Sequence, residues 1–497
     1  FFTFWQASIS TILTIVLALP GAYVFTRYRF PGKNVLLSLS TLPFVLPTVV
    51  VAAAFLALIG PRGIVNEALI SLFGLQEAPI QLLNTLVIIL IVHVFYNYAI
   101  ALRMITSFWA NQSLRMEEAA RVLGADSWRL WWRVRLPILR PAILTAAVLV
   151  FIFTFTSFGI VLILGGIRFS TLEVQIYYQA RNIFDLPMAA ALSLVQIVIM
   201  LLMMVFYTQL QRNISTEYQS LAQIARTPRT PVQIALVAGN LLLMVILLFA
   251  PLLALVYRSF IQDGQFTLQA YATLNQNARN SVLFVPPVEA ISNSLQIALL
   301  TTILALILGV LSAYLIAGRG RASWLSRFFD PIFMLPLATS AVTLGFGFIV
   351  ALDEPPLDLR ASWILIPIAH TLVAIPFVVR SVLPALRSIP PNVIEAAGVL
   401  GASPFQVWRR VELPLISRGI VVGATFAFTV SMGEFGASLF VARPDTPTMP
   451  IVIFRLLGQP GASNYAQALA MSSLLMLVCA VSFIVIERVR TAGIGEF

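Results

Sequence analysis

The sequence predicts an all-α polytopic membrane protein made of two parallel, pseudo-repeated halves of about six transmembrane helices each. Composition is the first reason. With 59% apolar and 10% charged residues and a mean hydropathy of +0.93, the 497-residue chain lies far outside the range of a water-soluble domain. The second is the number of apolar runs long enough to span a bilayer, about 20 residues each. There are eleven, near 5–27, 35–59, 81–103, 142–164, 187–209, 232–257, 292–317, 328–351, 362–384, 419–441 and 466–486. The third is an internal repeat. The only two histidines, His93 and His370, stand 277 residues apart, as do Arg103 and Arg380, Phe158-Gly159 and Phe435-Gly436, and Thr171 and Thr448.

Upstream the match continues at slightly different offsets, Leu46-Pro47 against Leu335-Pro336 and Ala22-Tyr23 against Ala313-Tyr314, because the first half has a longer outer loop at 60–80. The run 232–257 opens the second half and has no counterpart in the first, so one helix is expected to be missing ahead of Phe1-Phe2-Thr3. The domain reading is a first half over 1–210, a polar linker over 211–231 and a second half over 232–497. Even helix numbers make the halves parallel copies about an axis along the membrane normal.

Orientation follows from the loops. The segments containing Arg27–Lys33, Arg103–Arg140, Arg212–Arg229, Arg319–Arg327, Arg380–Arg418 and Arg488 with Arg490 hold 23 of the 31 basic residues. By the positive-inside rule that side is cytoplasmic, and the carboxyl end lies there too. In a membrane protein the net charge of +11 reads as a topology and headgroup signal rather than as a nucleic-acid patch. The lone Cys479, inside an apolar run, excludes an intramolecular disulfide and a cysteine-rich metal site.

Two of these basic loops, at about 111–140 and 388–418, carry the same pattern. The first reads Glu118-Ala119-Ala120, Gly124, Asp126-Ser127-Trp128 and Leu136-Pro137; the second reads Glu395-Ala396-Ala397, Gly401, Ser403-Pro404-Phe405 and Leu413-Pro414. Asn392 and Glu395 have the form of a capping box, and Ser113 is a weaker equivalent. Glycine suits the left-handed residue that ends a helix. Asp126 and Ser403 then cap a second short helix, with Pro404 at its first position. Leu-Pro is expected to break that helix at the membrane surface. Trp and Arg on such a pair could anchor it on lipid headgroups. Small residues beside an acid at fixed spacing fit a protein partner instead, and two copies imply two equivalent pockets.

Glu-Ala-Ala, three residues, Gly, nine residues and Val-x-Leu-Pro together resemble the signature loop of the permease subunits of bacterial ATP-binding-cassette importers. The resemblance covers essentially the whole chain. Its fused form is similar to the ferric-iron and thiamine permeases, as are Phe4-Trp5-Gln6-Ala7, Tyr28-Arg29-Phe30-Pro31-Gly32, Ser170-Thr171-Leu172-Glu173, Gly433-Glu434-Phe435-Gly436 and Ile486-Glu487-Arg488. The resemblance implies a bacterial inner-membrane permease whose two loops dock on a cytoplasmic ATPase dimer, with an extracytoplasmic binding protein delivering cargo. Glu118, Ala119, Ala120, Gly124, Leu136, Pro137, Glu395, Ala396, Ala397, Gly401, Leu413 and Pro414 would be the coupling residues. Ferric iron and thiamine are the cargoes it suggests; composition does not choose between these and sulfate, a polyamine or an organophosphonate.

No catalytic residue and no metal site is expected, no cofactor of the chain's own, and no nucleic-acid partner. Gly32-Lys33 lacks the rest of a phosphate loop, so ATP would be bound by the partner subunits, and no His-Glu-x-x-His or Gly-x-Ser-x-Gly occurs. The alternative is an ion-coupled secondary transporter with parallel six-helix repeats. Glu434, whose repeat counterpart is Ser157, is an intramembrane acid. It either faces the translocation path, together with Ser157, Phe158 and Phe435, or packs two helices. His93 and His370 read as interhelical hydrogen-bonding residues rather than metal ligands.

Overall fold

The computed structural model describes residues 1–491 apart from 113–114, 167, 215–224, 263, 277–282, 318–335, 337–338, 353–358 and 360–361. Among the described residues ten helices are long and apolar enough to cross a membrane, and the strands amount to one hairpin, β1 (Ile261–Gln262) antiparallel to β2 (Gln265–Phe266). The chain is therefore the all-α, multi-pass protein that its composition predicts. In order the helices are α1 (Phe2–Arg27), α2 (Thr48–Phe73), α3 (Leu86–Ala110), the short α4 (Arg115–Val122), α5 (Ser127–Phe155), α6 (Leu186–Leu210) and α7 (Pro231–Ser259). There follow α8 (Pro287–Ala317), the shorter α9 (Ala341–Ala351), α10 (Leu365–Ser388), the short α11 (Pro391–Val399), α12 (Pro404–Gly433), the short α13 (Gly436–Val441) and α14 (Ala462–Val489).

Several expected boundaries shift, each for a local reason. The eighth run, 328–351, contributes only the shorter α9, and most of its first part lies outside the described residues. The run 35–59 is not one helix. Pro43 and Pro47 sit among short turns at Lys33–Leu39 and Leu42–Val45, and a regular helix begins only at Thr48. α2 is interrupted by a turn at 60–63, and its second part, Ile64–Phe73, lies in the expected loop 60–80 and is closed by Gly74 at φ +63°. The spans expected at 142–164 and 419–441 begin earlier, at Ser127 and Pro404, and end at Phe155 and Gly433.

The chain forms two compact units. Unit 1 comprises Phe1–Phe44, Ala54–Gln179 and Asp185–Leu255, and unit 2 comprises Val45–Ala53, Ala180–Phe184 and Val256–Phe497. Each unit thus takes in chain from the other repeat. In unit 1, Val237 of α7 packs with Val24 and Tyr28 at the end of α1. In unit 2, an added Cβ on Gly433 would come within 2.8 Å of Pro47.

Helix α1 of unit 1 buries its small and polar side, as it can where lipid is as apolar as leucine. On α1 the buried face is small and polar, with Thr3, Gln6, Ala7, Ser10, Thr14, Ala18 and Ala22, whereas Ile12 and Val16 are exposed. The polar groups on that face bond across helices: Gln6 donates to the Thr154 carbonyl at 2.9 Å, and Ser10 bonds His93 at 3.0 Å. In unit 2, α8, α10 and α12 meet at backbone contact. A Cβ on Gly309 would lie 2.7 Å from that of Val378, and one on Gly419 would lie 2.7 Å from the Ser381 carbonyl oxygen. Gly419→Leu is accordingly expected to destabilise the protein by about 1–3 kcal/mol, read as a lowered unfolding temperature in detergent. Gly239→Leu, where a Cβ meets nothing within 4 Å, serves as the control and leaves the temperature unchanged.

Candidate functional site

Both repeated loops fold the same way, and the backbone explains their spacing. In unit 1, α4 ends at Gly124 with φ +81°; the Gly124 N–H donates to the Arg121 carbonyl at 2.9 Å and the Ala125 N–H to the Ala120 carbonyl at 2.9 Å. In unit 2, α11 ends at Gly401 with φ +83°, with Gly401 donating to Gly398 at 3.0 Å and Ala402 to Ala397 at 3.1 Å. Each is a Schellman closure: the carbonyl of the second alanine receives the amide after the glycine. No atom lies within 4 Å of a Cβ built on either glycine, so the positive φ alone requires glycine there.

The following helix is capped as expected. Asp126 accepts the Arg129 N–H at 2.8 Å, and Ser403 with Gln406 makes a reciprocal capping box. The box expected at Asn392 and Glu395 does not form. Helix α11 starts at Pro391, so Asn392 is already inside it and Glu395 sits too far along to reach back. Ser113 lies outside the described residues.

Leu-Pro does not break the second helix in either copy. At Trp131–Arg135 and at Trp408–Glu412 the backbone widens into one π turn, with the Leu136 N–H bonding the Trp131 carbonyl and the Leu413 N–H the Trp408 carbonyl. Widening the ladder there accommodates a proline that has no N–H to give, so the loop helix runs on into a spanning helix.

Each loop presents an exposed apolar pair just before its glycine. Val122 and Leu123 are each 87% exposed, Val399 88% and Leu400 86%. Exposed aromatics flank them: Trp128 lies 5.5 Å from Trp132, and Phe405 5.7 Å from Trp408. Glu118, Ala119, Glu395, Ala396, Pro137 and Pro414 are exposed, and Ala120, Ala397, Leu136 and Leu413 half-buried.

What anchors each loop inward was not foreseen from the sequence, and it differs between copies. In unit 1 the buried Glu117 accepts from Arg27 and from Arg135, the latter at 3.1 Å, and the Arg135 guanidinium lies 5.3 Å from the Tyr23 ring centre. In unit 2 the positions equivalent to Glu117 and Arg135 are Ile394 and Glu412. Ile394 packs on an apolar cluster that includes Ile316 and Leu386, and Glu412 accepts the Tyr314 hydroxyl at 2.9 Å. The charge swap between Arg135 and Glu412 was visible in the repeat alignment and marks the place.

Deeper in each unit lie the four residues expected on a path. Ser157 and Phe158 follow the end of α5, and Glu434 and Phe435 follow the end of α12; all four are buried. His93 bridges Ser10 and Ser157, at 3.0 and 2.8 Å, and His370 bridges Ser431 and Ser438, both at 2.8 Å. Glu434 caps α13, accepting from Ala437 at 2.9 Å and Ser438 at 2.8 Å, with His370 Nε2 3.4 Å from its carboxylate. That cap is why the helix expected through 441 stops at Gly433.

The model of the family described as "Binding-protein-dependent transport system inner membrane component" matches residues 10–216 and again residues 305–491. The chain belongs to this family. The permease component is 29% identical over 495 residues to the thiamine transport system permease protein ThiP of Escherichia coli, covering 98% of this chain and 88% of that protein. It is 28% identical to ThiP of Haemophilus influenzae, and 26% identical to a probable ABC transporter permease protein of Sinorhizobium fredii, each over 99% of this chain and 88% of the relative. It is thus a multi-pass, inner-membrane permease of the fused, two-half form.

Proposed function

We propose that this permease forms the translocation path of a thiamine importer and couples it to a separate ATPase dimer through the two loops. The observation that carries the reading is the pair of matched knobs, Val122-Leu123 and Val399-Leu400, each held out on a Schellman-closed helix and backed by a helix that enters the membrane span. Thiamine rests on the printed names of the similar permeases. The distribution of Lys and Arg supports a cytoplasmic position for the loops, the 211–231 linker and the carboxyl end.

In this mechanism ATP-driven closure of the ATPase dimer moves Glu118 to Gly124 in one half and Glu395 to Gly401 in the other. The continuous helices α5 and α12 carry that motion past Leu136-Pro137 and Leu413-Pro414 to the breaks at Ser157-Phe158 and Glu434-Phe435. There the His93 and His370 bridges hold the broken segments in place as the halves rock between inward- and outward-facing states. A binding protein outside delivers the cargo, and ATP stays in the partner subunits.

The test is reconstitution in proteoliposomes with the ATPase and binding protein. Thiamine uptake that requires ATP hydrolysis is expected; uptake driven by an ion gradient without ATP would overturn the reading. Bulky replacements of Glu118 and Gly401 together are expected to weaken ATPase co-purification by about tenfold or more, while membrane insertion is unchanged.

A further inference from the structure

A cavity of about 880 Å³ opens in unit 1 between the end of α1, the first loop and the start of α7. Its lining includes Arg27, Arg29, Arg121, Arg135, Arg226 and Arg229 against only two acids, Glu117 and Glu118, a surplus of four positive charges. Glu117 is already engaged by Arg27 and Arg135. The Nε atoms of those two arginines and the Thr26 hydroxyl are buried without a hydrogen-bond partner among the described residues. Arg135 is 9% exposed and Thr26 5%, so these are desolvated donors left unsatisfied, which is costly unless a ligand meets them.

The chain segment beside this cavity is tied to the end of α1 by backbone hydrogen bonds. Arg226 donates its N–H to the Arg27 carbonyl and accepts that of Arg29, both at 3.0 Å, as a single parallel bridge beside Tyr28. The guanidinium groups of Arg29, Arg121, Arg226 and Arg229 have no ion-pair partner among the described residues. Lys33, which donates to the Tyr28 carbonyl at 3.1 Å, is held below the usual lysine range by burial first and by Arg29 second. Every cation lining the cavity is arginine, whose planar fork matches two oxygens of one phosphate.

We infer that this cavity binds a phosphate-bearing anion, which clasps the segment at Arg226–Arg229 to the end of α1 and to the first loop. Two sources share that chemistry, an anionic phospholipid headgroup and a soluble phosphate compound. The inference stands apart from the coupling role, because the cavity belongs to the chain alone and is tested without the ATPase.

The full chain, purified in detergent and stripped of lipid, is titrated separately with phosphatidylglycerol, phosphatidylcholine and inorganic pyrophosphate while its unfolding temperature is followed. A rise of about 3 °C at saturation is expected with phosphatidylglycerol or pyrophosphate and none with phosphatidylcholine. A response to phosphatidylglycerol alone assigns a lipid; a response to pyrophosphate assigns a soluble phosphate. Arg226→Glu with Arg229→Glu, and separately the exposed Arg121→Gln, are expected to weaken the response about tenfold or more in ligand concentration. Arg133→Glu, exposed and outside the cavity, leaves it unchanged. No response to either anion, an equal response to phosphatidylcholine, or an equal loss in Arg133→Glu would overturn the inference.

Discussion

Replacing Val122, Leu123, Val399 and Leu400 together by aspartate is expected to abolish ATP-driven uptake while the protein still inserts and folds. All four side chains are more than 85% exposed in the chain alone, so the substitution removes no internal packing. Burying one such side chain in a partner is worth about 1.5–3 kcal/mol. Losing one pair removes at least about 3 kcal/mol, roughly a hundredfold in affinity, before the cost of burying new carboxylates is added. Co-purification of the ATPase with the variant checks the outcome. Retained association with unchanged uptake would show that the knobs face something else. Changing only one pair tests whether the halves contribute equally, which the different anchoring of the two loops argues against.

Glu117→Ala is expected to lower stability by about 3–5 kcal/mol, because it leaves two arginines largely buried without their acid. The effect should appear as a lower unfolding temperature and as uncoupled or absent transport, since α4 loses its tie to α1 and α5. Unfolding in detergent reads the first, and ATP-driven uptake in proteoliposomes reads the second. A triple replacement, Arg27→Met with Glu117→Ile and Arg135→Leu, is expected to recover much of the lost stability, because an apolar set of similar volume can replace a buried ionic one. Unit 2 already anchors its loop that way through Ile394. A triple variant as unstable as Glu117→Ala would mean that the charges themselves are required.

Much of this architecture is local chemistry and can be read along the chain. Spans follow from hydropathy, and the Glu-Ala-Ala to Gly spacing is the length of one Schellman closure, which sequence separation alone dictates. Caps at Asp126 and Ser403 are equally local. What could not be read joins distant residues: Glu117 reaches Arg27 across 90 positions, and Tyr314 reaches Glu412 across 98. Proline at 137 and 414 misled for a different reason, since its effect depends on whether the turn before it can widen, a property of the backbone ladder rather than of composition. Glu434 stands out in the sequence as an intramembrane acid, but a choice between facing a path and packing two helices does not foretell the cap it makes on Ala437 and Ser438.

The exchange of segments between the two units bears on subunit stoichiometry. Unit 1 is completed by residues 231–255 from beyond the linker, and unit 2 by residues 45–53 from before it. Neither repeat is a self-sufficient body, and fusion fixes their ratio at one to one. Equivalent positions are then never obliged to suit a second copy of themselves. Arg135 can stand where the other repeat has Glu412, and Ser157 where it has Glu434, whereas a pair of identical subunits would carry the same residue at both places. The chain keeps two equivalent knobs for its partner and assigns different chemistry to the anchors beneath them.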